Sequence, residues 1–239
     1  MPGPRDIWPG KETRGNMSYQ IAIDGPAGAG KSTIAKMVAA KLKFIYVDTG
    51  AMYRALALFC LNENIDIKAE DKVTDLCKKA DIKLSYEDNE QVILLNGTNV
   101  NKEIRTPKVG DTASVISAYK EVRKKLVSLQ QEIAENSNVI MDGRDIASKV
   151  LPNANLKVYL DADVHVRAVR RVLELKEKGM DESLEEIEAQ MRDRDYRDMH
   201  RENSPLVCVE DAKRIDSSNM TQEEVTEEII KLFKEAINE

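Results

Sequence analysis

The chain has 239 residues, 42% hydrophobic and 33% charged, which suits one large globular domain, or a core domain with small insertions, with ample apolar material for a core. A formal net charge of −6 gives no bulk attraction to phosphate-rich polymers, so nucleic acid is not an expected partner and any bound anion has to be held by a local cluster. Cys60, Cys77 and Cys208 are far apart with no CxxC pattern, which argues against a disulfide scaffold or a zinc site; they are expected to be small buried residues in a protein of the reducing cytoplasm.

Apolar stretches such as "ALALFCL" (55–61) are too short to span a bilayer, so no membrane partner is expected. The first sixteen residues, with two Pro-Gly pairs around one Trp, read as a non-native or disordered extension. They are set aside, leaving one domain over 17–239.

In chain order, "YQIAI" (19–23) alternates and predicts a strand. It leads into "GPAGAGKS" (25–32), a full match to G-x-x-x-x-G-K-[ST], and a helix follows to about Lys43. Gly25, Gly28 and Gly30 let the backbone curl so that N–H groups face phosphate oxygens, and the helix adds its positive end. Lys31 is placed to reach the β- and γ-phosphates and Ser32 to hold Mg²⁺. Nucleoside triphosphate binding follows, with Gly25, Pro26, Ala27, Gly28, Ala29, Gly30, Lys31, Ser32 and Thr33 as the ATP-binding set.

"FIYV" (44–47) predicts a second strand, and "DTGAMYR" (48–54) opens a helix that runs from about Ala51 to Asn62. Thr49 sits near its N-cap, and Tyr53 and Arg54 lie in its first turns. From Asp81 the texture changes: "IKLSY" and "QVILL" flank "EDNE", "NGT" signals another turn, and 81–105 read as a small antiparallel insertion. Helical texture returns over about 106–135. "NVIM" (138–141) and "LKVYL" (156–160) are buried-type strands, each followed by an aspartate. "MDGRD" (141–145) ends the first of them, where open α/β sheets bind ligands. Asp142 is placed like a magnesium-shell carboxylate, and Gly143 is expected to free a turn that aims Arg144 and Asp145 into a cleft. Charged helices over 163–178 and 183–202, a strand near 213–216 and a helix from about 221 complete a parallel α/β pattern.

A guanine-binding N-K-x-D is missing, since the single N-K pair, "NKEI" (101–104), lacks the aspartate. A small-molecule kinase instead needs a second anion site built from arginines. Beyond Arg54 and Arg144, "MRDRDYRDMHR" (191–201) puts Arg194, Asp198 and Arg201 on one helical face, with Arg197 beside them. Arg192, Asp193 and Asp195 point mostly elsewhere and read as solvent pairs. Arg167, Arg170 and Arg171 share a face of the preceding helix, so the two helices are expected to close over a polyphosphate as a lid; Arg167 and Arg171 are assigned to ATP.

Taken together, "AIDGPAGAGKST", "DTGAMYR", "NKEIRTPKV", "MDGRD" and "RDRDYRDMHRENSPL", in this order, resemble the bacterial cytidylate (CMP) kinases of the nucleoside monophosphate kinase group, from about Tyr19 to the end. The resemblance implies an α/β P-loop kinase fold: a five-stranded parallel sheet flanked by helices (17–62, 106–160, 203–239), a monophosphate-binding β insertion (about 63–105) and a helical lid (about 161–202). It implies ATP and CMP or dCMP as substrates with Mg²⁺, in a monomeric cytoplasmic enzyme. It also implies Thr49, Ser114, Arg123 and Asp145 around the cytosine. Arg54, Arg144 and Arg201 then hold the CMP phosphate with Tyr53 nearby, and Arg194 and Asp198 meet the ribose. Lys31, Arg144 and Arg201 are the catalytic set, and Ser32 and Asp142 the metal set. A kinase for UMP, another monophosphate or a small metabolite, or a non-catalytic nucleotide-sensing module, stays open as an alternative. No general base is required, because the acceptor phosphate is already anionic, and His165 and His200 are read as incidental.

Overall fold

The computed structural model describes residues 18–87, 90–177 and 179–238. The expected N-terminal extension and the tip of "EDNE" lie outside them. Five strands form a parallel sheet in the order β2-β6-β1-β7-β8: β1 (Gln20–Asp24), β2 (Ile45–Asp48), β6 (Val139–Gly143), β7 (Leu156–Asp161) and β8 (Lys213–Asp216). Helices α1 (Lys31–Leu42), α2 (Thr49–Asn62), α3 (Glu70–Lys79), α4 (Pro107–Ile116), α5 (Lys120–Glu135), α6 (Val164–Glu177), α7 (Leu184–His200) and α8 (Gln222–Asn238) accompany them, with a separate sheet of β3 (Ile82–Glu87), β4 (Glu90–Leu95) and β5 (Thr98–Asn99). Among the described residues no helix is long and apolar enough to cross a membrane. The chain separates into two compact units: residues 45–138, joined by Ser18, and residues 19–44 with 139–239.

In the second of these units, β1 lies between β6 and β7, with Ile21 opposite both Ile140 and Leu156. Ile21, Ala22 and Ile23 are fully buried on both faces, the pattern of a central parallel strand covered by helices. Helix α1 packs on α8 and β6. Their ends are closed by Tyr19, Phe44 and Phe233, whose rings meet edge-on at 5.7 and 5.4 Å around a parallel Tyr19–Phe44 pair. Both neighbours of β1 come later in the chain, so the strand order reverses at its carboxyl end, where the glycine-rich loop begins.

In the other unit, α2 is apolar on nearly every side. Ala51, Met52, Ala55, Leu56, Ala57 and Cys60 are almost fully buried among α4, α5 and the β3–β4 hairpin. The small antiparallel sheet forms as the sequence predicts: β3 pairs β4 from Ile82↔Leu95 to Glu87↔Glu90, and Asn96-Gly97 (φ 50° and 82°) make the two-residue turn into β5. Helix α3 was not anticipated, although Val73, Leu76 and Cys77 are its buried stripe at i, i+3 and i+4. The helical texture over 106–135 is two helices. Thr106 caps α4 by accepting from the Val109 N–H at 3.4 Å, Pro107 takes the first turn, and the chain breaks at Ser117–Tyr119 before α5. Cys60 and Cys77 are buried as expected, and burial pushes both thiols up. Cys208 is exposed, which corrects the expectation for the third, since it sits in the loop before β8 rather than on a core element.

Candidate active site

The glycine-rich loop joins β1 to α1. At Gly25 (φ 151°) an added Cβ would stand 1.9 Å from the backbone oxygen of Leu160, a contact that no side-chain motion relieves. Gly30 (φ 86°) is the N-cap of α1, and a Cβ there meets nothing within 4 Å. Gly25→Ala is therefore expected to lower Tm and abolish the shift that ATP causes in thermal denaturation. Gly30→Ala, with backbone strain alone, is expected to do so more mildly. Equal effects would show that the close approach to Leu160 is not what demands glycine.

Lys31 is the first residue of α1 and is buried, its ammonium donating to the Pro26 carbonyl at 2.6 Å. Burial, then the Arg144 charge, lower its pKa to about 7, against the pull of Asp142, Asp198 and Asp24. Ser32 Oγ donates to Asp142 Oδ2 at 2.8 Å, linking the loop to the end of β6. Arg144 Nε donates to Asp198 Oδ2 at 2.7 Å, so α7 is tied to the residue after β6. Burial alone would raise the Asp198 pKa, but the Arg144 charge and hydrogen bond, with Arg194 and Arg201, hold it below the usual carboxylate range. Arg201 ends α7, donating to the Ser204 carbonyl at 2.7 Å, with Nη2 at 3.9 Å from Asp145 Oδ1. The second unit thus brings Lys31, Asp142, Arg144, Asp145, Asp198 and Arg201 into one largely buried cluster, with Ser32 joined to it from the exposed side through Asp142, and Arg194 belongs to the same charge field through Asp198.

Three expectations are corrected here. Gly143 keeps strand geometry as the last residue of β6, and the chain bends at Arg144 and Asp145 ahead of a wide π-type turn over Ile146–Val150. Asp195 is no solvent pair: its carboxylate is buried, meets Arg167 Nη2 at 2.7 Å and accepts from the Ala27 N–H at 3.4 Å. The signal was present in the helical spacing, because Ile187, Met191, Asp195 and Asp198 form one buried stripe of α7. Arg167, Arg170 and Arg171 do not share partners, although they share a helix face in sequence. Arg167 is buried, donating to the carbonyls of Ala162 and Ala27 at 2.8 Å each; Arg170 donates to the Ser217 carbonyl at 2.7 Å; and Arg171 pairs near the surface with Glu174. Arg192 pairs with Glu188 at the surface and Asp193 is exposed, as expected. His165 meets Glu188, and His200 stacks on Tyr196 with centroids 4.0 Å apart.

In the first unit, Asp48 caps α2 by accepting from the Ala51 N–H at 2.9 Å and pairs with Arg105 of "NKEIRTPKV" at 3.0 Å, while Gln91 of β4 accepts from the Asp48 N–H. These contacts fix the turn that carries Thr49, Tyr53 and Arg54; Thr49 is buried and Arg54 half-buried. Arg123 is buried, donates to the Ser117 carbonyl at 3.0 Å and lies over the Tyr53 ring at 5.4 Å. Ser114 is half-buried on α4, which packs against α2. Arg105 and Gln91 were not singled out in the sequence, since residues that support a turn more than forty positions away leave no local pattern.

A phosphate loop whose lysine sits in the field of an arginine and several carboxylates serves phosphoryl transfer to a second, anionic acceptor, and the parallel sheet around it defines a P-loop phosphotransferase. A solved structure of an uncharacterized protein from Eubacterium ventriosum has the same fold, with a TM-score of 0.51 at 14% identity over 91% of this chain and 99% of its own. Within that class the chain belongs to the cytidylate kinase family, whose model matches residues 21–235. The cytidylate kinase of Caldicellulosiruptor saccharolyticus is 49% identical over 217 residues, 91% of this chain and 96% of its own. That of Lactobacillus gasseri is 46% identical over 219 residues, 92% of this chain and 95% of its own.

Proposed function

We propose that this chain transfers the γ-phosphoryl group of ATP to the 5′-phosphate of CMP and dCMP, giving ADP with CDP or dCDP. The observation that carries the proposal is the buried network of Lys31, Arg144, Asp198 and Arg201 beside the phosphate loop, more cationic machinery than one nucleotide requires. The loop residues 25–33 and Arg167 are assigned to ATP. Arg171, paired with Glu174 at the surface, is assigned to ATP by its place on the lid helix alone.

For CMP, the family resemblance assigns Thr49, Ser114, Arg123 and Asp145 to the base, Tyr53, Arg54, Arg144 and Arg201 to the phosphate, and Arg194 and Asp198 to the ribose. Cytosine offers an N4 amine to a carboxylate and N3 and O2 to a guanidinium. Uracil reverses that edge and would leave buried groups mismatched.

The acceptor oxygen is already anionic, so the residues' work is to align it in line with the γ-phosphorus, neutralise charge on the equatorial oxygens and exclude water. Ser32 and Asp142 form an all-oxygen pair whose hard-donor chemistry fits Mg²⁺, and these two residues would hold it. When bound, the ion neutralises charge on the β- and γ-phosphate oxygens. A monomer of the reducing cytoplasm is the state the family resemblance and the unpaired pattern of three cysteines favour.

The test is ADP release with CMP, dCMP, UMP, AMP and GMP at equal concentrations. CMP and dCMP are expected to lead. A clear preference for UMP or AMP would overturn the cytosine assignment, and no stimulation by any acceptor would overturn the kinase assignment.

A further inference from the structure

Asp24, the last residue of β1, is buried to 2% exposure, directly before the phosphate loop. Its carboxylate faces a stretch more than a hundred residues away in sequence: Oδ1 accepts from the Ile146 N–H and Oδ2 from the Ala147 N–H, each at 2.8 Å. These are the first two N–H groups of the turn behind Arg144 and Asp145. A turn of this kind leaves its leading N–H groups without partners of its own. The rest of the turn closes on itself, Lys149 N–H donating to the Asp145 carbonyl and Leu151 N–H to that of Ile146. In the sheet, Asp24 stands opposite Gly143.

A buried carboxylate is costly to keep. Burial pushes Asp24 up to about 6 even though the two N–H bonds pull the other way. Its two oxygens are spent on backbone, where the strand that opens the phosphate loop meets the turn that follows Arg144 and Asp145. We propose that Asp24 is a positioning residue for phosphoryl transfer: its carboxylate clamps the Ile146–Ala147 backbone and so holds Arg144 and Asp145 in register with the phosphate loop. The inference rests on the phosphotransferase reading and adds a residue that touches neither substrate. Asparagine does not replace it, because one of its two positions is a donor that opposes an N–H.

The test compares wild type, Asp24→Asn and Asp24→Ala in steady-state kinetics with CMP and ATP varied separately, beside binding of a fluorescent ATP analogue and amide exchange at Ile146 and Ala147. Both variants are expected to lose roughly tenfold or more in kcat/KM for CMP, as small misplacements of catalytic groups do. The analogue's Kd stays within about twofold of wild type, and the two amides exchange faster. A folded variant with a lowered Tm and unchanged CMP kinetics overturns the proposal, as do losses shared equally by CMP and the ATP analogue. Asp24→Asn keeps one acceptor and reads the same quantities where alanine does not fold. Should wild type prefer another acceptor, the substrate assignment fails by itself, and the clamp is then scored with that acceptor and by exchange at the two amides.

Discussion

Arg144→Ala is expected to lower kcat/KM for CMP by about 10²–10³-fold, the usual cost of removing one donor from developing transition-state charge. It is also expected to destabilise the protein. Arg144 and Asp198 are nearly buried, at 19% and 8% side-chain exposure, and their 2.7 Å bond is what keeps Asp198 ionised below its usual range. Removing Arg144 takes away the hydrogen-bonded partner of Asp198 and leaves that buried carboxylate to Arg194 and Arg201, so the loss stays below the roughly 3–5 kcal/mol of an uncompensated buried charge, and the Tm of a chain of this size falls by several degrees. Arg192→Ala is the control: its ion pair with Glu188 is exposed on the arginine side, and such pairs contribute little to stability. Steady-state kinetics and thermal denaturation of both variants check the prediction. Wild-type turnover in Arg144→Ala, or a comparable loss in Arg192→Ala, contradicts it.

Lys31→Met is expected to reduce turnover by about 10³-fold without lowering the Tm of the ligand-free protein. The ammonium is buried and its pKa is lowered to about 7, with burial the largest cause and the Arg144 charge next. Between that value and 10.5 the unfolded chain binds a proton that the folded chain does not, so this residue's contribution to stability rises with pH across the window. Below about 7 both states are protonated and the cost of burying the charge is present in full. Methionine removes that cost, so the variant's relative Tm is highest near pH 6 and the difference shrinks toward pH 10. ATP reverses the balance, because its phosphates favour the ammonium. At pH 8 the binding of ATP to wild type is expected to take up close to one proton, read from calorimetry in buffers of different ionisation enthalpy. The same experiment on Lys31→Met is expected to show none, and equal uptake in the two proteins rules Lys31 out as the acceptor.

The elements that the sequence predicted well are those whose signal is local. The run "YQIAI", the hairpin turn at Asn96-Gly97 and the loop from Gly25 to Lys31 each specify backbone geometry within a few residues, and all three form. The separation of α4 from α5 was not legible, because Ser117–Tyr119 contain no proline or glycine and the break follows from how each helix buries its stripe against α2 and α3. Asp195 shows the same limit inside a correctly predicted helix. Spacing fixes which residues of α7 share a face, but with charges on every side it does not say which face turns inward. That was decided by the docking of Ile187 and Met191 against α6, which carries Asp195 to Arg167 and the Ala27 N–H.

By itself, then, the amino-acid order determined the phosphate loop, the parallel α/β alternation and the short list of arginines and aspartates from which a second anion site is built, since each rests on contacts between near neighbours or on periodicity. Only the tertiary structure decided which of those charges are partners. Arg144 with Asp198, Arg167 with Asp195, and Asp24 with the Ile146–Ala147 backbone are separated by 54, 28 and over 120 positions. Burial, which makes an ion pair matter and moves a pKa, is a property of the packed interior that no single segment encodes.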